Sequence, residues 1–143
     1  MGNSRAAAYL DHDRDGDLDI VVNNFHSGAV FLRNNSEAQA NNNWLTLKLV
    51  GDPSRGSNRD AIGARLVLMT EGGKKVWRTI QGSTGYLSAH PKQQHFGLGD
   101  EQLATVSVRW PNGDEEQIVG LQANKSYRLV QGEGRVGRLP DRR

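Results

Sequence analysis

Along most of the chain, apolar and polar residues alternate in short runs separated by glycine, proline and asparagine, which is the period of half-buried β-strands. "WLTLKLV" (Trp44–Val50) puts Leu45, Leu47 and Leu49 on one face and Trp44, Thr46, Lys48 and Val50 on the other. "LDIVVNN" (Leu18–Asn24) reads as a buried strand, with "AVFLRN" (Ala29–Asn34) as its hairpin partner across His26-Ser27-Gly28. "ARLVLMT" and "KKVWRTIQ" flank Glu71-Gly72-Gly73, where glycine is free to take positive φ. "TVSVRW" and "EEQIVG" flank Pro111-Asn112-Gly113, in which Pro sets φ and Gly accepts the left-handed position, and "SYRLV" closes the series. No convincing helix interrupts these runs. The spacing predicts an all-β fold, a β-sandwich or barrel-like domain of roughly six to eight strands behind an N-terminal β-hairpin.

The breaks between runs suggest an organisation. Residues 1–36 hold the hairpin, "NSEAQANNN" reads as an Asn-rich linker, 37–132 form the β-domain, and 133–143 are expected to be a disordered basic tail. In that tail Arg135, Arg138, Arg142 and Arg143 alternate with Gly and Pro. With 143 residues the chain can bury one core and a small appendage. No apolar run is long enough for a membrane span, and the first residues lack the apolar stretch of a signal peptide. With no cysteine there are no disulfides and no thiolate chemistry.

Charge changes the picture. The formal net charge is +2, yet five of the sixteen acids fall in one loop, "DHDRDGDLDIVVNN", at Asp11, Asp13, Asp15, Asp17 and Asp19. Carboxylates this close repel one another unless a cation fills the loop. Counting Asp11 as the first position, carboxylates stand at positions one, three and five, and Gly16 stands at the bend. That spacing suits the hard, oxygen-only shell of Ca²⁺, whereas Mg²⁺ prefers to keep its waters. On this reading Asp17 contributes its carbonyl while its side chain faces water, and Asp19 closes the site. The loop is not an EF-hand, because the twelfth position is Val22 and a strand follows. A solvated acidic turn without metal is the alternative.

"DHDRDGDLDIVVNN" resembles the calcium turn of FG-GAP (VCBS) repeats, the blades of β-propellers. "NRDAIGARLVL" (Asn58–Leu68), "GSTGYLSAHPKQQHFGLG" (Gly82–Gly99) and "VRWPNG" (Val108–Gly113) resemble the ASPIC/UnbV domain, a likeness running from Trp44 to Gln131. The resemblance implies a partial FG-GAP repeat followed by that domain, a secreted or cell-envelope location, and adhesion to or recognition of an extracellular protein or glycan. A blade needs neighbours to bury its faces, and its unpaired sheet edge invites a homodimer.

Other constellations carry less. Asp60 offers a general acid or base, but no second carboxylate stands at a useful spacing, so Asp60 and Arg65 are expected to pair or cap while Ile62 plugs the core. Ser83, Ser88 and His90 raise a hydrolase reading for Gly82–Gly99, although the G-x-S-x-G elbow is absent. The histidines lack zinc spacing. Trp44, Trp77, Trp110 and Tyr86 suggest a carbohydrate-binding β-sandwich if exposed, though strand tryptophans commonly pack inward. Scattered basic residues and an acidic loop argue against nucleic acid. The expected protein is thus non-enzymatic and calcium-binding.

Overall fold

The computed structural model describes residues 3–36, 42–86 and 88–139. The chain divides into two compact units, Met1–Asn41 with Gly82–Pro91, and Asn42–Gln81 with Lys92–Arg143. Its strands are β1 (Asn3–Leu10), β2 (Asp19–Phe25), β3 (Val30–Leu32), β4 (Asn43–Val50), β5 (Arg65–Thr70), β6 (Lys75–Thr79), β7 (Gln94–Gly99), β8 (Leu103–Arg109), β9 (Glu115–Gln122), β10 (Lys125–Val130) and β11 (Val136–Arg138). Among the described residues there is no α-helix, and the fold is all-β as the alternation predicts.

The first unit holds a three-stranded antiparallel sheet in the order β1-β2-β3. The hairpin β2–β3 forms, but β2 is not the buried strand its apolar run predicts, because Asp19 is its one buried residue and Ile20 and Phe25 are exposed; β1 is an addition. "NSRAAAYL" lacks the β-branched residues that mark a strand, and pairing with β2 (Ala7 opposite Val22, Tyr9 opposite Ile20) supplies what local propensity does not. Ile20, Phe25, Val30, Phe31 and Leu32 stay exposed on this sheet.

The second unit is a β-sandwich. One sheet runs β11-β10-β4-β7 and the other β6-β5-β8-β9. Leu45, Leu47, Leu49, Phe96, Leu98 and Leu129 from the first share one buried cluster with Leu66, Leu68, Val106, Val108 and Ile118 from the second. The two sheets share no strand pairing, so the sandwich alternative holds over the barrel. β4 lies at its centre, parallel to β10 and antiparallel to β7. Trp110 is buried, and its backbone N–H donates to the Asp114 carbonyl across the Pro111-Asn112-Gly113 turn.

Three expectations need correction. Val136–Arg138 of the supposed tail pairs with β10, Leu129 opposite Val136, because Val136 gains a partly buried place against the core. Residues 140–143 and the middle of the Asn-rich linker, 37–41, lie outside the described residues. Ile62 is exposed while its neighbour Ala61 is fully buried, because the turn needs the smaller side chain inside. Asp60 pairs with Lys92, not Arg65, and the hydrogen bond from Lys92 holds its carboxyl below the usual range.

Gly51 marks a close approach. Its N–H donates to the Arg59 carbonyl at 3.0 Å, and a Cβ there would stand 2.2 Å from the Asn58 carbonyl oxygen. Gly51→Ala is expected to cost about 1–3 kcal/mol in urea unfolding, as overpacking does. Gly97→Ala, where a Cβ meets nothing within 4 Å, should leave the midpoint nearly unchanged.

Candidate metal centre

The aspartate run leaves β1 at Leu10 and enters β2 at Asp19, so its turn is held by a strand at each end. Gly16 adopts φ 96° and Arg14 φ 65°, which lets the chain curl inside the turn. Asp11, Asp13 and Asp15 each bring a carboxylate oxygen within 4.8 Å of the others. Asp11 accepts the backbone N–H groups of Arg14 and Gly16, and Asp15 Oδ1 accepts the N–H of Asp17 at 3.1 Å.

Other carboxylate oxygens of the turn lack donors. Asp11 Oδ1, Asp15 Oδ2 and Asp17 Oδ1 are buried and have no hydrogen-bond partner among the described residues. Burial, then the charges of Asp15 and Asp13, push the Asp11 carboxyl above its usual range. Burial also raises Asp15, with Asp17 and Asp13 adding repulsion. One cation is already present: Arg33 Nη2 stands 2.7 Å from Asp13 Oδ2 and 3.9 Å from Asp15 Oδ2. The charge of Arg33 offsets one of the three carboxylates. The residues therefore fit a hard divalent cation, since they offer oxygen ligands, local negative charge and buried oxygens lacking donors.

Asp17 and Asp19 take different places from the first three. Asp17 does not face water: it is 8% exposed, and its Oδ2 accepts the Ser36 N–H at 2.9 Å and the Ser36 hydroxyl at 3.2 Å. Asp19 is 1% exposed and both oxygens are engaged. Its Oδ1 accepts the Asn34 N–H at 2.9 Å, and its Oδ2 accepts the His12 N–H at 3.2 Å and lies 2.8 Å from His12 Nδ1. Burial opposes ionisation of Asp19, but these hydrogen bonds outweigh it and hold the carboxyl below its usual range. Sequence reasoning missed His12, Arg33, Asn34 and Ser36. His12 lies inside the run, and the other three follow β3, where the hairpin returns beside the turn.

Ser83, Ser88 and His90 are engaged in structural contacts. His90 Nδ1 accepts the Tyr9 N–H at 3.3 Å, and the two rings stack with centroids 3.9 Å apart. Ser88 Oγ donates to the Tyr86 carbonyl and Ser83 Oγ to the Ser88 carbonyl, so each hydroxyl is turned to backbone. Leu87, in the same stretch, lies outside the described residues. The aromatic set divides: Trp110 is buried, Trp44 is half-buried against His95, and Trp77 and Tyr86 are exposed.

A family model described as ASPIC and UnbV matches residues 54–136, and the chain belongs to that family. Cartilage acidic protein 1 of Homo sapiens is 34% identical over 116 residues, covering 78% of this chain and 16% of that protein. The Xenopus tropicalis protein of the same name is 34% identical over 113 residues, with 78% and 17% covered. The chain spans about a sixth of the length of the curated relatives it matches. The matched span 54–136 does not include the aspartate turn.

Opposite pKa directions give opposite predictions for the metal-free protein. The raised carboxyls of Asp11 and Asp15 cost stability as pH rises from their unfolded value through the folded one, whereas the lowered Asp19 contributes stability that is lost as pH falls through its folded pKa. With chelator at neutral pH, Asp15→Asn should slow amide exchange in the turn. Asp19→Asn should speed it, by the equivalent of about 1.5–3 kcal/mol for hydrogen bonds to a charged group. The Asp19→Asn difference should vanish in acid below the folded Asp19 pKa.

Proposed function

We propose that the chain is a non-enzymatic, calcium-binding recognition module of a secreted or cell-envelope protein. The observation that carries the calcium part is the set of buried, donor-less oxygens on Asp11, Asp15 and Asp17 beside the gathered carboxylates of Asp11, Asp13 and Asp15. Bound Ca²⁺ supplies positive charge and oxygen coordination at the turn. Asp11, Asp13 and Asp15 would hold the ion and Asp17 would turn its unpartnered oxygen to it. Asp19 would close the site from β2 while anchoring the turn through Asn34 and His12. The likeness of this turn to FG-GAP repeats supports the same reading. The word cartilage in the relatives' name supports an extracellular setting.

Calorimetric titration of chelator-stripped protein with Ca²⁺ tests the proposal. One site per chain is expected, with affinity lowered at least about tenfold, about 1.4 kcal/mol, in Asp13→Ala and Asp15→Ala, and with weak competition by Mg²⁺. Absence of binding at millimolar Ca²⁺ would sink it.

Recognition of a protein or glycan partner is assigned to the β-sandwich, the unit that contains most of the family match. The exposed Trp77 favours a glycan. Self-association is assigned to the first unit, where β3 is an edge strand among the described residues and bears exposed Phe31 and Leu32. Sedimentation should show a concentration-dependent dimer that Phe31→Lys disperses; a monomer at every concentration would remove this part.

A further inference from the structure

We propose that the outward face of the β6-β5-β8-β9 sheet binds a uronate-bearing polysaccharide, with Trp77 stacking on a sugar ring and Arg65 and Arg109 holding its carboxylate. The proposal deepens the glycan reading above and rests on it.

The alternation that buries Leu66 and Leu68 of β5, and Val106 and Val108 of β8, turns Arg65, Ser107 and Arg109 outward. Register then arranges them in rows across the sheet. Trp77 stands opposite Val67, Val67 opposite Ser107, and Ser107 opposite Gln117. In the next row Arg65 stands opposite Arg109, with Glu115 beyond it on β9.

Two features of this face point to a ligand. Trp77 is 68% exposed on an edge strand, although the other two tryptophans of the chain pack inward or against a ring. Arg65 and Arg109 are like charges directly opposite across an antiparallel pair, an arrangement that destabilises a sheet. Neither side chain makes an ion pair or hydrogen bond among the described residues, and Glu115 closes no ion pair with Arg109. An anion between the two guanidiniums removes that repulsion.

The spacing fits a sugar that carries its charge on the ring. Arg65 is the diagonal neighbour of Trp77, about 7–8 Å away and within reach of long side chains. A planar carboxylate matches the guanidinium fork. Further along the Trp77 row, Gln117 donates to the Ser107 hydroxyl at 3.3 Å, which leaves polar atoms for sugar hydroxyls. A nucleic acid strand would need cations following a regular phosphate backbone, and here the row ends at Glu115.

The test is titration of the full chain in chelator, so that the aspartate turn takes no part, with oligogalacturonate, its methyl ester, and an oligonucleotide of equal charge. The acid form is expected to bind, and its ester to bind at least about tenfold more weakly. Trp77→Ala and Arg65→Gln/Arg109→Gln should each lose at least about tenfold, and the double arginine variant should keep an unfolding midpoint at or above the parent's. Lys48→Gln/Arg128→Gln removes two exposed charges that are also in register, on the other sheet, and should change nothing. Equal binding of acid and ester would overturn the carboxylate role and keep the glycan reading. Equal loss in the Lys48/Arg128 control, or preference for the oligonucleotide, would overturn the site as bulk electrostatics. Binding of neither sugar would overturn this inference, while the calcium titration judges the calcium reading separately.

Discussion

Leu45, Leu47 and Leu49 must leave water on one side of a strand whose other side carries Trp44, Thr46 and Lys48, and that requirement organises the second unit. A strand with one apolar face needs an apolar sheet opposite, which β5 and β8 provide through Leu66, Leu68, Val106 and Val108. It also needs its edges filled, and β10 and β7 do that, one parallel and one antiparallel. Because side chains alternate strictly, a fixed inner face fixes the outer one. The arrangement of Trp77, Arg65 and Arg109 on the solvent side is thus a consequence of core register as much as of surface chemistry.

The first unit answers to a different constraint. Its sheet has three strands, with large apolar side chains left in contact with water, so little of its stability comes from burial. What shapes its turn is polar. Asp19 collects donors from His12 and Asn34, Asp17 collects them from Ser36, and Arg33 reaches Asp13. These contacts tie the residues after β3 back to the turn before β2, but they leave other carboxylate oxygens buried without donors. A group that accepts and cannot donate has no use for a further carboxylate beside it. It is stabilised by a cation, by a proton or by nothing, and the raised Asp11 and Asp15 carboxyls express that choice in the metal-free chain.

Much of this was legible in the sequence where the signal is local. Alternation located β4, β5, β8 and β10, and Pro111-Asn112-Gly113 located the turn between β8 and β9. The aspartate run marked a candidate site by composition alone. What escaped depends on partners distant in the chain. "SRAAAYL" becomes β1 through β2, and Val136 becomes part of β11 by joining β10; neither carries a strand pattern of its own. The parallel pairing of β10 with β4 joins residues far apart in sequence and leaves no mark in either segment. At Ala61 and Ile62 hydrophobicity pointed to the wrong residue, because the turn faces Ala61 to the core and Ile62 to solvent.

The same distinction separates the two functional arguments. The calcium reading stands on residues adjacent in sequence, where acid spacing and Gly16 can be read directly, and the fold adds the buried oxygens. The sugar-binding reading stands on Arg65, Trp77 and Arg109, which belong to three strands and come together through register alone. Shifting β5 by one residue against its neighbours would turn Arg65 inward and expose Leu66, which is why such a site cannot drift independently of the core. A surface held this tightly can keep two arginines opposed at a cost in stability, because the sandwich beneath it supplies the compensating burial.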